Sequence, residues 1–362
     1  MLLIKRCMLV LFFIFIHSVA DATIAVPTFN STPKERTLFL TGAAGFIGSN
    51  FLRYMFEKYP TYTFIVLDAL TYAGNMDNIP HSIQESGRFA FVHDTVTNQQ
   101  AVDECMKQSD FVVHFAAESH VTRSIQSANV FVETDVMGTL TMLNSLLKHK
   151  NVERFIHIST SEVYGTAETE PMTEDHPLNP RSPYAAAKTG ADRLVYSFWC
   201  TYDIPAVIIR PFNNYGPNQH IEKVIPRFIT NALKGLPLTI HGDGSAKRDW
   251  VHVLDTCDAL DRALHIDDFE SIKNQVINIG TGVSVSVHEI ATLIKKSFNV
   301  FDVDFTYQDD RPGQVCTHIS STDKAERLLG FKAKRVLADC LDGVINWHRA
   351  NKKWWGNMQI SE

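Results

Sequence analysis

Thr37-Leu-Phe-Leu-Thr41-Gly42-Ala-Ala-Gly45-Phe-Ile-Gly48 is the stretch that decides the fold. Thr37–Thr41 is a short apolar run that reads as a buried strand. Three glycines spaced three apart follow, and a helical pattern then runs from Ser49 through Phe56. Glycine at a strand-to-helix turn lets the chain turn tightly and lets a pyrophosphate approach the backbone, with the helix N-terminus facing the anion. A second strand, Phe64-Ile-Val-Leu-Asp68, ends in a carboxylate twenty positions after Gly48. A carboxylate there suits the hydroxyls of an adenosine ribose and favours NAD over NADP. Strand, glycines, helix, strand and terminal Asp in this order predict a dinucleotide-binding unit.

Working outward, Arg88–His93, Phe111–Phe115, Arg154–Ser159 and Ala206–Arg210 read as further strands. Phe131–Lys148 and Tyr184–Tyr202 read as long helices between them. This alternation predicts an α/β fold with a doubly wound parallel sheet. From Pro211 the pattern loosens into loops and short helices, so a smaller C-terminal substrate-binding domain is expected over 211–350, after a Rossmann domain over 36–210. Asn274–Ile279, within 274–280, is a candidate strand returning to the main sheet.

The second informative stretch is Ser159-Thr160-Ser161-Glu162-Val163-Tyr164-Gly165, with Tyr184-Ala-Ala-Ala-Lys188 beyond it. Tyr184 and Lys188 are four apart and share a helix face. A phenol has a pKa of about 10, and a cation beside it favours the phenolate. Hydroxyl, carboxylate, phenol and ammonium together suit proton abstraction beside a nicotinamide.

The chain has 362 residues, 45% of them hydrophobic, and a formal charge of −6. That is enough to bury a large core, and the mild charge without a basic run argues against nucleic acid as a partner. Cys7, Cys105, Cys200, Cys257, Cys316 and Cys340 are scattered without a CxxC pair, so neither a disulfide framework nor a metal site is expected. Lys5-Arg6, the apolar run Cys7 to Ile16 and the small residues Ala20 and Ala22 resemble a secretory signal over 1–22, with a linker over 23–35. An uncleaved anchor, which alone would bring a membrane into play, or an unused upstream start are the alternatives. Nucleotide chemistry points instead to the cytoplasm, and the sequence leaves the compartment open.

With both motifs in place, the chain resembles the extended short-chain dehydrogenase/reductases and, within them, the dTDP-glucose 4,6-dehydratase family. The resemblance runs from about Arg36 to about Lys334. It is carried by Leu67-Asp-Ala-Leu-Thr-Tyr-Ala-Gly-Asn75, His114-Phe-Ala-Ala-Glu-Ser-His-Val121, Asn214-Tyr-Gly-Pro217, Glu222-Lys-Val-Ile-Pro226, Gly242-Asp-Gly244, Arg248-Asp-Trp250 and Asp310-Arg-Pro-Gly313. It implies an NAD-dependent hydro-lyase acting on a nucleotide-diphosphate sugar. C4 is oxidised with Tyr184 as base, Glu162 takes the C5 proton as water leaves C6, and the hydride returns to C6. Thr160 would hold the C4 oxygen. Gly42, Gly45, Phe46, Ile47, Gly48, Asp68, Asp94, Thr95, Ala116, Ala117, Tyr184 and Lys188 would contact NAD. His120, Asn213, Lys223, Arg248, Asn278 and Arg311 would hold the sugar nucleotide. A homodimer built on Phe131–Lys148 and Tyr184–Trp199 is also implied.

The pattern is not fully kept. Where the dTDP-glucose enzymes carry an Asp that protonates the leaving C6 hydroxyl, this chain has Ser161, and Asp135 stands where they carry Asn. GDP-mannose 4,6-dehydratases and UDP-glucuronate decarboxylases share Thr-Ser-Glu. The decarboxylases typically place Arg where Asn218 stands here, and UDP-sugar 4-epimerases usually lack the Glu162 carboxylate. Dehydration is therefore expected, with decarboxylation or 4-epimerisation as the alternative.

Overall fold

A computed structural model describes residues 35–298, 304–310 and 312–358. The signal-like segment and nearly all of the linker lie outside the described residues. The first six strands are β1 (Thr37–Thr41), β2 (Thr63–Asp68), β3 (Phe89–His93), β4 (Phe111–His114), β5 (Arg154–Ile158) and β6 (Ala206–Pro211). The next three are β7 (Asn213–Tyr215), β8 (Leu238–His241) and β9 (Lys247–His252), followed by β10 (Val276–Ile279), β11 (Ser284–Ser286) and β12 (Phe305–Gln308).

Seven strands form one sheet in the order β10-β6-β5-β4-β1-β2-β3. Every pair in it is parallel. Every residue of β1, β2 and β6 is buried. Continuous apolar runs are what a sheet covered on both faces requires, because no side of the strand meets water. One face packs Phe51, Leu52 and Met55 of helix Phe46–Lys58 together with Leu260 and Leu264 of helix Val253–His265. The other packs Val102, Met142, Leu146, Val195 and Trp199. The order reverses between β1 and β4, and such a switch point opens a crevice at the carboxyl ends of the strands.

The return strand is present as β10, with Val276 opposite Ile208 and Ile279 opposite Pro211. Helix Val253–His265 also returns to the first unit. Its Asp261 accepts hydrogen bonds from Tyr54 (3.2 Å) and Tyr59 (2.7 Å) and pairs with Lys58. Charge and hydrogen bonds hold that carboxyl down at about 2, against the cost of burial.

Two expectations change. The helix over Phe131–Lys148 is interrupted: Val132–Met137 winds as a π-helix before an α-helix resumes over Gly138–Lys148. The wider turn carries Asp135 inward, and such turns cluster at functional sites. Beyond Pro211 the chain is more regular than its pattern suggests. Helices Val224–Leu233, Val287–Phe298 and Leu337–Ala350 pack with Tyr215, Ile240 and Trp250 into a separate core. The sheet β11-β9-β7 and the pair β12-β8 complete it.

Candidate active site

A cleft of about 350 Å³ opens at the carboxyl edge of the sheet. Its wall includes Phe46 and Ile47 from the glycine turn, Ala117 and His120 after β4, and Thr160, Ser161 and Glu162 after β5. Tyr184 and Lys188 from helix Pro183–Tyr202 face the same space, as do Asn213, Lys223, Arg227 and Arg248 from the second unit.

At the glycine turn, Gly42 has φ +68 and a Cβ there would lie 2.6 Å from the Ala116 backbone. A Cβ on Gly48 would lie 2.7 Å from Ala43 Cα. Gly45 caps the first helix with no side chain bonded across its N-terminus. The close approach and the uncapped N–H groups fit a pyrophosphate. Asp68 ends β2 and accepts hydrogen bonds from the Ala44 N–H (2.8 Å) and the Leu70 N–H (2.9 Å). These bonds aim the carboxylate at the turn, and burial raises its pKa. Asp94 and Thr95 follow β3, where Asp94 accepts from the Thr95 N–H at 2.7 Å and from Asn98 at 2.9 Å. These residues fit a dinucleotide as a set.

Helix Pro183–Tyr202 begins where Ser182 accepts from the Ala185 N–H at 3.1 Å, with Pro183 in its first turn. Both features favour a helix start. Four residues apart, Tyr184 and Lys188 emerge on one face, as the spacing predicts. Lys188 is buried and its Nζ donates to the Ile158 carbonyl at 2.7 Å. Burial lowers the Lys188 pKa, and the charges of Asp135 and Asp192 work against that fall. Burial raises the Tyr184 phenol, and a hydrogen bond with Thr160 works against the rise. The protein alone thus lifts this phenol above its ordinary value, contrary to the lowering expected from Lys188. Asp135 accepts from the Glu118 N–H at 2.8 Å while its Oδ2 is buried without a partner. Burial pushes its carboxyl up to about 7.

Glu162 stands on a 3₁₀ turn capped by Thr160, whose hydroxyl accepts the Glu162 N–H at 3.2 Å. Arg248 Nε lies 4.0 Å from Glu162 Oε1. Lys223 Nζ donates to the Ser119 carbonyl at 2.6 Å, and His120 caps helix Val121–Gln126 through a bond from the Arg123 N–H. Asn213 Oδ1, Gln219 Oε1 and Glu222 Oε1 are buried without hydrogen-bond partners beside the cleft. Unsatisfied buried polar atoms are costly, so their clustering here points to a polar ligand.

Most of the expected residues converge, but Asn278 does not. It lies fully buried on β10, accepting from Tyr164 Oη (2.7 Å) and donating to the Met172 carbonyl (3.1 Å), apart from the cleft wall. Arg311 lies outside the described residues. Among the polar wall residues that escape the sequence reading are Arg227 and Gln219. Arg227 sits one helical turn after Lys223, with its Nε buried and unpartnered, and the i, i+4 spacing is the only signal for it. Gln219 has none. Among the described residues there is no group of three or more potential metal ligands, and Cys105, Cys200, Cys257, Cys316 and Cys340 are free thiols.

Comparison with known proteins agrees with this geometry. The chain is 40% identical to the low-salt glycan biosynthesis protein Agl12 of Haloferax volcanii, over 86% of this chain and 98% of that protein. It is 38% identical to a dTDP-glucose 4,6-dehydratase of Streptomyces antibioticus, over 88% and 94%. The crystal structure of DesIV, a dTDP-glucose 4,6-dehydratase from Streptomyces venezuelae with NAD and TYD bound, superposes with a TM-score of 0.85 at 38% identity, covering 89% of this chain and all of that one. The family described as GDP-mannose 4,6 dehydratase matches residues 39–343. The chain is therefore an extended short-chain dehydrogenase/reductase and belongs to this nucleotide-sugar 4,6-dehydratase family.

Proposed function

We propose that the protein is an NAD-dependent dTDP-glucose 4,6-dehydratase, a hydro-lyase that forms the 4-keto-6-deoxy sugar. The observation that carries this reading is the convergence of Tyr184 and Glu162 on one cleft beside a glycine turn that fits a dinucleotide. A phenol alone supports oxidation at C4, and a carboxylate beside it adds removal of a proton at C5. Relatives that dehydrate dTDP-glucose support the sugar and the base.

In this reading Gly42, Gly45, Phe46, Ile47, Gly48, Asp68, Asp94, Thr95, Ala116 and Ala117 hold NAD, with Lys188 on the nicotinamide ribose. NAD, when bound, supplies the acceptor for the C4 hydride and the donor that returns it to C6. Tyr184 takes the proton of the C4 hydroxyl, and Thr160 holds that oxygen through its hydroxyl. Oxidation at C4 acidifies C5, whose proton Glu162 removes while the C6 hydroxyl leaves as water. Lys223, Arg227, Arg248 and Arg311 neutralise the diphosphate, and a guanidinium fork suits its paired oxygens. His120 and Asn213 bind the substrate from the wall. Turnover of dTDP-, UDP- and GDP-linked hexoses tests the base, with dTDP-glucose expected to give the highest kcat/KM.

We also infer a homodimer. Val132 (49% exposed), Met137 (49%), Tyr196 (44%) and Tyr202 (53%) are large apolar side chains left open on the two adjacent helical segments, and a second copy would cover them. The compartment is read from residues 1–22, which lie outside the described residues; among the described residues no helix is long and apolar enough to cross a membrane.

A further inference from the structure

Ser161 poses a chemical question: a serine hydroxyl is too weak an acid to protonate a leaving hydroxyl unaided. The structure places a partner behind it. His318, distant by 157 positions in the chain, brings Nδ1 to 3.3 Å from Ser161 Oγ. Its Nε2 lies 2.7 Å from the Gly165 carbonyl oxygen. A carbonyl only accepts, so Nε2 carries the ring hydrogen. In the neutral ring Nδ1 is then bare and accepts from the Ser161 hydroxyl. The same Nδ1 lies 4.0 Å from Glu162 Oε1.

The ring is fixed in this pose. His318 is fully buried, its backbone N–H donates to the Lys247 carbonyl at 3.0 Å, and Phe212 meets it edge-on at 6.1 Å. The titratable groups around it are Glu162, which favours its protonation, and Arg248 and His176, which oppose it. Burial is the largest influence and lowers its pKa, which favours the neutral ring, with Nδ1 open to the Ser161 hydroxyl.

We propose that Ser161 and His318 form the proton relay for loss of the C6 hydroxyl, with Ser161 touching the leaving oxygen and His318 acting through it. The step balances without an outside acid. Glu162 takes the C5 proton, and the electron pair of that C–H bond forms the C5–C6 double bond. The C6–O bond breaks with its pair on oxygen. Glu162 passes its proton to His318 Nδ1, the imidazolium gives it to Ser161 Oγ, and the Ser161 hydroxyl hydrogen goes to the departing oxygen to make water. Glu162, His318 and Ser161 end as they began. The relay rests on the dehydration reading and explains how a chain with Ser161 in the place of an acid completes it.

His318→Gln is the sharpest test. A glutamine amide keeps a donor for Gly165 and an acceptor for Ser161, yet carries no proton between them. With dTDP-glucose and NAD, it should oxidise C4 at the wild-type rate and then stall. Reduced nicotinamide absorbance should accumulate, and formation of the 4-keto-6-deoxy product should fall by about a hundredfold to ten-thousandfold, the usual range for losing a proton-transfer group. KM should be unchanged. Ser161→Ala, which leaves the imidazole in place, should stall in the same way. Ser161→Asp in the His318→Gln background should restore product formation, because an acid then stands at the leaving oxygen; a merely structural histidine would not be rescued so. Wild-type rates of product formation in either single variant would overturn the relay, as would a double variant no faster than His318→Gln. Failure of the wild-type enzyme to make a 6-deoxy product would instead overturn the dehydration reading itself.

Discussion

Arg210 and Asp192 meet fork to fork in the core: Nε and Nη2 each lie 2.9 Å from a different oxygen of the carboxylate. Asp192 also accepts from Ser159 Oγ at 2.7 Å. One buried pair thus joins strand β6, the helix bearing Tyr184 and Lys188, and the start of the Thr160–Glu162 turn.

This arrangement predicts a large stability effect. Both side chains are buried, and removing one charge leaves the other uncompensated, at a cost of about 3–5 kcal/mol. Asp192→Asn should lower the unfolding free energy by about that amount in urea titration. The Arg210 guanidinium holds the Asp192 carboxyl well below the usual carboxylate range, even against burial. A carboxyl depressed in the folded state stabilises above its unfolded pKa of about 4 and loses that contribution as pH falls through the folded pKa. The gap between wild type and Asp192→Asn should therefore be constant above pH about 4 and narrow below it.

Glu162→Gln separates the two halves of the reaction. C4 oxidation needs Tyr184 and Thr160, not the carboxylate. The variant should consume the C4 hydrogen and accumulate reduced nicotinamide absorbance with dTDP-glucose, while 6-deoxy product is lost by at least about a hundredfold. Turnover without accumulation would remove Glu162 from the C5 step. Tyr184→Phe should show neither reduced nicotinamide nor product.

Asp135 predicts a pH effect. Its negative charge, like that of Glu162, raises the Tyr184 phenol. Replacing it with a neutral isostere removes one of these influences. Asp135→Asn should therefore shift the Tyr184 limb of the kcat/KM profile to lower pH. Its own titration near 7 should disappear from the profile. An unmoved limb would show that Asp135 does not act on the phenol.

The exposed pair Val132 and Met137 gives a test of assembly. Val132→Asp places a charge on the surface inferred to meet a second copy. Sedimentation should show a dimer for wild type and a monomer for the variant, with unchanged far-UV circular dichroism.

How far the sequence reveals this picture depends on how local each feature is. β1 and β2 are legible because strands buried on both faces must be apolar throughout. The glycine turn and the Tyr184–Lys188 pair are legible because their geometry is set within a few residues. The π-helix at Val132–Met137 is not, because a continuous amphipathic pattern hides one widened turn. His318 is invisible in sequence: a lone histidine five positions beyond Gly313 has no signal until folding brings it to Ser161. Asn278 shows the opposite case. The resemblance implies that it holds the substrate, but its amide is consumed by Tyr164 and Met172.

The account stands or falls on the fate of C6. Wild-type protein with NAD and dTDP-glucose labelled with carbon-13 at C6 should convert the labelled hydroxymethyl signal in the NMR spectrum to a methyl doublet beside a C4 ketone, without net reduction of NAD. A labelled hydroxymethyl that persists while C4 inverts would mean epimerisation. No change with this sugar, but release of carbon dioxide from UDP-glucuronate, would mean decarboxylation. Either result contradicts the dehydratase.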